Sequence, residues 1–122
     1  AEMLGQKMRE NHTNVWLINT GWTGGSYGEG HRMKLRYTRA MITAALTGQL
    51  DGVAFDNHPI FGVAVPQSCP NVPAEILNPR ATWQNADAYD RKAADVAAMF
   101  AKNFAKFAEH ANEEIRNGGP VL

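Results

Sequence analysis

The sequence predicts an α/β chain, in detail an α+β arrangement of few strands with two to three helices, the last of them long. Three observations predict it. Val15-Trp16-Leu17-Ile18 is a short apolar run of β-branched and aromatic residues, the composition of a buried strand. A glycine-rich stretch follows at once and leads into an amphipathic helix. Near the C-terminus, Tyr89, Ala93, Val96, Phe100, Phe104 and Phe107 recur at steps of three or four, which predicts one long helix over roughly 87–115 with a core-facing stripe.

The other elements follow in order. Met3, Leu4 and Met8 share a stripe and predict a helix over residues 2–11. Tyr37, Met41 and Ala45, with Ile42 and Leu46, predict a helix over 37–48 that Gly48 stops. Residues 60–65 form a second β-like run, held short by Pro59 and Pro66. Four prolines between 66 and 82 predict a loop with one helical turn at 74–77. Asn85 or Asp87 is placed to cap the long helix, and Gly118-Gly119-Pro120 to end it. Two strands make a poor sheet, and the long stripe has little apolar surface to meet. Both points, with the opening on Ala1, suggest a piece of a larger protein whose apolar stripe is exposed enough to self-associate.

Composition narrows the function. The 122 residues suit one modest domain, and twelve basic residues balance twelve acidic ones. Nucleic-acid and membrane-surface binders carry a basic excess that is missing here, so neither partner is expected. No apolar run approaches a membrane span and no signal-peptide pattern opens the chain. With a single cysteine, Cys69, a reducing cytoplasmic setting is expected.

The stretch NTGWTGGSYGEGHRMKLRYTRA holds the chemistry. Gly21, Gly24, Gly25, Gly28 and Gly30 crowd one loop, and His31, Arg32, Lys34, Arg36 and Arg39 follow it. Strand, glycine loop and helix in that order is the layout of phosphate sites. The templates nevertheless fail. Gly25 and Gly30 have the spacing of a P-loop, but His31 and Arg32 stand where Lys and Ser or Thr belong. A dinucleotide fingerprint is absent. The plain reading is a turning surface loop with a solvated basic face behind it, and Lys34 and Arg39 fit that face. Arginine, however, offers a planar cation that stacks on rings, and Thr38 a small hydroxyl near a helix start.

The run WLINTGWTGGSYGEGHRMKLRYTRAMITAAL, followed by NHPIFGVAVPQSCPNVPAEILNPRATW, resembles the C-terminal part of ATP-dependent phosphoenolpyruvate carboxykinase over nearly the whole chain. The specific landmarks are Asn-Thr-Gly-Trp before the loop, Gly30-His31-Arg32, Thr38-Arg39-Ala40, and Val-Pro-Ala-Glu-x-Leu-Asn-Pro-Arg. The resemblance implies that residues 1–122 belong to the C-terminal mononucleotide-binding domain of a cytoplasmic gluconeogenic enzyme. That enzyme converts oxaloacetate and ATP to phosphoenolpyruvate, carbon dioxide and ADP, with magnesium and manganese. It implies adenine-side contacts at Arg32, Met33 and Thr38. His31 stands where the family usually has lysine. The resemblance also places the P-loop lysine and threonine, the metal ligands and the substrate-binding groups upstream, so this chain alone is expected to be inactive and to bind nucleotide weakly. A different class of reading is a stand-alone helical interaction module with a structural glycine loop.

The remaining candidates read as structural. His12, His31, His58 and His110 lack metal-ligand spacing, so no metal site is expected. Asp56 and His58 read as surface-loop residues. Trp16, Trp22 and Trp83 read as packing anchors, with Trp22 set apart by its place inside the loop.

Overall fold

Six helices, one 3₁₀ turn and two β-hairpins make up the chain in a computed structural model that describes residues 2–121. The helix α1 (Glu2–Asn11) comes first, followed by β1 (Trp22–Thr23), β2 (His31–Arg32) and α2 (Leu35–Leu46). Then come β3 (Phe55–Asn57), β4 (Ala64–Pro66), α3 (Ala74–Leu77), α4 (Pro79–Thr82), α5 (Ala86–Phe104) and α6 (Glu113–Asn117). Both sheets are two-stranded and antiparallel, β1 with β2 and β3 with β4. The architecture is therefore a small α+β mixture of helices and hairpins rather than a parallel α/β sheet.

The expected strand at 15–18 does not form. Those residues carry no strand pairing, and Leu17 is 86% exposed. An apolar run becomes a strand only when a neighbouring strand accepts its backbone, and none does among the described residues. The second expected strand shrinks to β4. Residues 58–63 instead form a turn, with the His58 N–H donating to the Val63 carbonyl at 2.9 Å and the Gly62 N–H to the His58 carbonyl at 2.8 Å.

Helix α2 begins two residues before its expected start. It ends as the sequence suggests: Gly48 takes φ +72°, and the Gln49 N–H reaches back to the Ala44 carbonyl at 3.0 Å. That left-handed close is cheap for glycine and costly for residues with a Cβ. The turn at 74–77 is α3 itself, and a second turn, α4, follows with Asn78 as its cap.

The long helix is shorter than its stripe. Asn85 caps α5 through its side chain, accepting from the Ala88 N–H at 3.0 Å. The helix stops at Phe104, a 3₁₀ turn spans Ala108–His110, and Asn112 caps α6 by accepting from the Ile115 N–H at 2.9 Å. The stripe continued through Phe107 on paper, but the buried face of α5 is Ala93 and Ala97. Phe100, 58% exposed, and Phe107 lie outside it, so packing does not carry the helix onward. With α5 ending before Phe107 and Phe61 meeting Phe100 edge-on at 6.4 Å, no continuous phenylalanine face supports self-association.

The core gathers Met33, Tyr37, Ala44, Leu50, Cys69 and Val72, with Trp16, Met41 and Ile76 packed on it. A second cluster ties the β3–β4 hairpin to α5. Here His58 is not a loose loop residue. Its Nδ1 accepts from the Ile60 and Phe61 N–H groups, each at 3.2 Å, and its Nε2 meets the Tyr89 hydroxyl at 2.8 Å. An Nδ1 that accepts carries no proton, so the ring is the Nε2–H tautomer and donates to Tyr89. Burial pushes this imidazole below its ordinary value. Asp56, in contrast, is an exposed acceptor for Gln67 at 2.9 Å.

Candidate nucleotide-facing hairpin

The glycine loop is the turn of the β1–β2 hairpin. Two of its backbone donors bond inside the loop: the Glu29 and Gly30 N–H groups both donate to the Ser26 carbonyl, at 3.0 and 2.9 Å. The Trp22 indole N–H adds a third bond to that carbonyl at 3.2 Å. Those two amides are not offered to a phosphate, and the lysine that follows a P-loop's second glycine is replaced by His31. Gly30 is required by space. A Cβ there would lie 2.5 Å from the Thr23 carbonyl oxygen and 2.8 Å from Gly25 backbone atoms.

Asn19 shapes the approach to the hairpin. Its Oδ1 accepts from the Gly21 N–H at 2.9 Å and its amide donates to the Trp22 carbonyl at 3.2 Å. The Met33 N–H then closes the far end on the Gly21 carbonyl at 2.8 Å. These bonds explain why Asn-Thr-Gly-Trp precedes the loop: a short amide must fold back on its own backbone.

Strand alternation sorts the side chains. Register pairs Trp22 with Arg32 and Thr23 with His31. Residues directly opposite share a face, and neighbours along a strand point to opposite faces. The inner face holds Thr23, His31 and Met33; His31 is exposed, whereas Thr23 and Met33 are buried and both line a cavity of about 700 Å³. Trp16, Met41, Phe55 and Cys69 also line it, so it is chiefly apolar. Burial raises the Cys69 thiol above its ordinary value, which suits packing rather than reactivity. Thr82 gives its one hydroxyl proton to the Pro79 carbonyl at 2.7 Å, so Thr23 is the donor in the 3.4 Å contact between the two threonines.

The outer face carries Trp22 and Arg32. Of the three residues singled out from the sequence, Arg32 is exposed on β2, Met33 is 7% exposed in the core, and Thr38 is 6% exposed in the first turn of α2. The cavity takes Met33 but neither Arg32 nor Thr38. Among the described residues Arg32 forms no ion pair or side-chain hydrogen bond, whereas Arg36 lies over the Tyr37 ring at 4.7 Å and donates to its hydroxyl. The sequence did not show this division of the basic run, because it depends on which cations find an aromatic neighbour. Nor does the sequence show that Trp22 stands opposite Arg32; hairpin register alone sets that.

Among the described residues no three His, Cys, Asp or Glu side chains converge on a point. No helix among them is long and apolar enough to cross a membrane.

Comparison with known proteins places this hairpin in a family. The model of the ATP-type phosphoenolpyruvate carboxykinase family matches residues 1–75, the stretch that contains the whole hairpin and α2. The chain is 64% identical over 121 residues to the phosphoenolpyruvate carboxykinase (ATP) of Flavobacterium johnsoniae and 58% identical over 121 residues to that of Christiangramia forsetii. Each alignment covers 99% of this chain and 23% of the relative, so the chain spans under a quarter of the length of these curated relatives. The Brevibacillus brevis enzyme of the same name is 58% identical over 122 residues. With the family model running through more than half of the sequence and through its most distinctive turn, the chain belongs to the ATP-dependent phosphoenolpyruvate carboxykinase family.

Proposed function

We propose that this chain forms the adenine side of the nucleotide site in a carboxykinase that converts oxaloacetate and ATP to phosphoenolpyruvate, carbon dioxide and ADP in the cytoplasm. The observation that carries the reading is Arg32: an exposed guanidinium with no ion pair or side-chain hydrogen bond among the described residues, on a hairpin inside the stretch that the family model matches. Such a plane stacks on a purine and is worth about 1–2 kcal/mol once water is excluded.

The other two residues take different parts in this reading. The Met33 thioether belongs to the core, so its part falls to the peptide, whose carbonyl meets no backbone donor among the described residues and can accept from the exocyclic amine. The Thr38 hydroxyl, one helical turn on, supplies a hydrogen bond to a ring nitrogen. On this reading the phosphates, both metal ions and the carboxylate substrate are held by parts of the enzyme outside these 122 residues, as the family resemblance implies. Phosphoryl transfer needs that charge-spreading apparatus, so the 122 residues alone are inactive. A free-standing interaction module has less support, because the family match runs through the glycine loop.

In a full-length carboxykinase carrying this segment, Arg32→Ala raises the KM for ATP about tenfold, the equivalent of one lost stacking contact. Arg32→Lys, which keeps charge without the plane, recovers only part of it. An unchanged KM for ATP in Arg32→Ala refutes the assignment.

A further inference from the structure

We infer that Trp22 is a second planar wall of the base site, beside Arg32. The inference rests on the nucleotide reading above. Trp22 is the register partner of Arg32. Opposed residues in an antiparallel pair stand with their Cβ atoms about 5 Å apart on one face, so the indole and the guanidinium flank the same strip of surface. Thr23 and Met33 occupy the inner face and fill the core, which leaves the outer face without an assigned packing role.

Trp22 is also held still. Its indole N–H donates to the Ser26 carbonyl at 3.2 Å, and Tyr27 tilts over it with ring centroids 5.2 Å apart. Yet the residue is 38% exposed, and Tyr27 is among the most exposed residues of the chain. Trp16 is packed on the core and Trp83 meets Tyr89 edge-on at 5.6 Å. Trp22 is the most exposed of the three, is fixed by a loop, and stands beside a cation that forms no ion pair among the described residues. A large flat apolar side chain immobilised at the surface loses little freedom when a ring stacks on it, which makes it an effective platform. The Ser26 carbonyl therefore does two things at once, since holding the loop closed also fixes the indole.

The test is ATP titration of a full-length carboxykinase carrying this segment, ¹⁵N-labelled at tryptophan and arginine, following the Trp16, Trp22 and Trp83 indole N–H signals and the Arg32 Nε–H. Inorganic tripolyphosphate serves as a control for charge alone. The Trp22 and Arg32 signals move with ATP and not with tripolyphosphate, while Trp16 and Trp83 stay and report an intact fold. Trp22→Leu weakens ATP binding about tenfold, whereas Trp22→Phe, which keeps a ring, stays within about threefold. If Arg32 responds to ATP and Trp22 does not, the second wall is wrong and the proposed function stands. If neither responds, both fall. A Trp22 response of equal size to tripolyphosphate reports charge rather than a base and overturns the wall.

Discussion

Replacing His58 by phenylalanine isolates what its two nitrogens contribute. The ring contacts survive, since Phe61 lies 5.0 Å and Tyr89 6.3 Å from the imidazole centroid. Three hydrogen bonds are lost: two from the Ile60 and Phe61 amides at 3.2 Å and one to the Tyr89 hydroxyl at 2.8 Å. A typical net hydrogen bond contributes about 1 kcal/mol. The two amide bonds are long and share one lone pair, so together they count as about one. The expected loss is about 2 kcal/mol, read as a lower urea midpoint at unchanged slope. Amide exchange locates it, with Ile60 and Phe61 losing protection while α2 keeps its own.

The wild-type pH dependence gives an independent check. His58 has a folded value below its unfolded one, which is near 6.5. The folded state therefore binds fewer protons than the unfolded state in that range. Its contribution is complete above about pH 6.5 and is lost as pH falls through the depressed folded value. His58→Phe removes that portion of the acid sensitivity. A mutant with wild-type stability and the same acid slope would show that the turn does not depend on the imidazole.

Two further outcomes follow from backbone geometry. Gly30→Ala forces a methyl group to within 2.5 Å of the Thr23 carbonyl oxygen, so the β1–β2 pairing opens at a cost of about 1–3 kcal/mol; retention of wild-type stability and of the amide pattern at Trp22 and Arg32 would contradict the tight closure. Asn85→Ala removes the α5 cap and costs about 1 kcal/mol in chemical denaturation, whereas Asp87→Ala, outside the capping bond, costs less; the reverse order would mean the cap is misassigned.

The sequence made some elements plain and hid others for physical reasons. Local chemistry was largely legible: a cap at Asn85 or Asp87, of which the structure uses Asn85, Gly48 as a stop and the turn at 74–77 are written in one or two residues each. Non-local pairing was not. Val15–Ile18 has strand composition but no partner, and Phe107 continues a stripe that the buried face of α5 does not follow. His58 looked like a loop residue because the partner that fixes it, Tyr89, lies 31 residues away. At the hairpin, Arg32, Met33 and Thr38 stood out through a family resemblance. Their separation into an outer face and a buried interior came from register and burial, which no motif encodes.

Arg32 and Met33 are joined by a single peptide unit, with one side chain in solvent and the next inside the core. That bond works as a short lever with its fulcrum at the Gly21–Met33 hydrogen bond. A substitution that reshapes the methionine's bed, at Leu50 or Val72 in the same core cluster for instance, is expected to shift the backbone that carries Arg32. On the proposed adenine-side reading, mutations buried well away from the hairpin's outer face are expected to alter nucleotide affinity, and screens that vary only surface residues would overlook them.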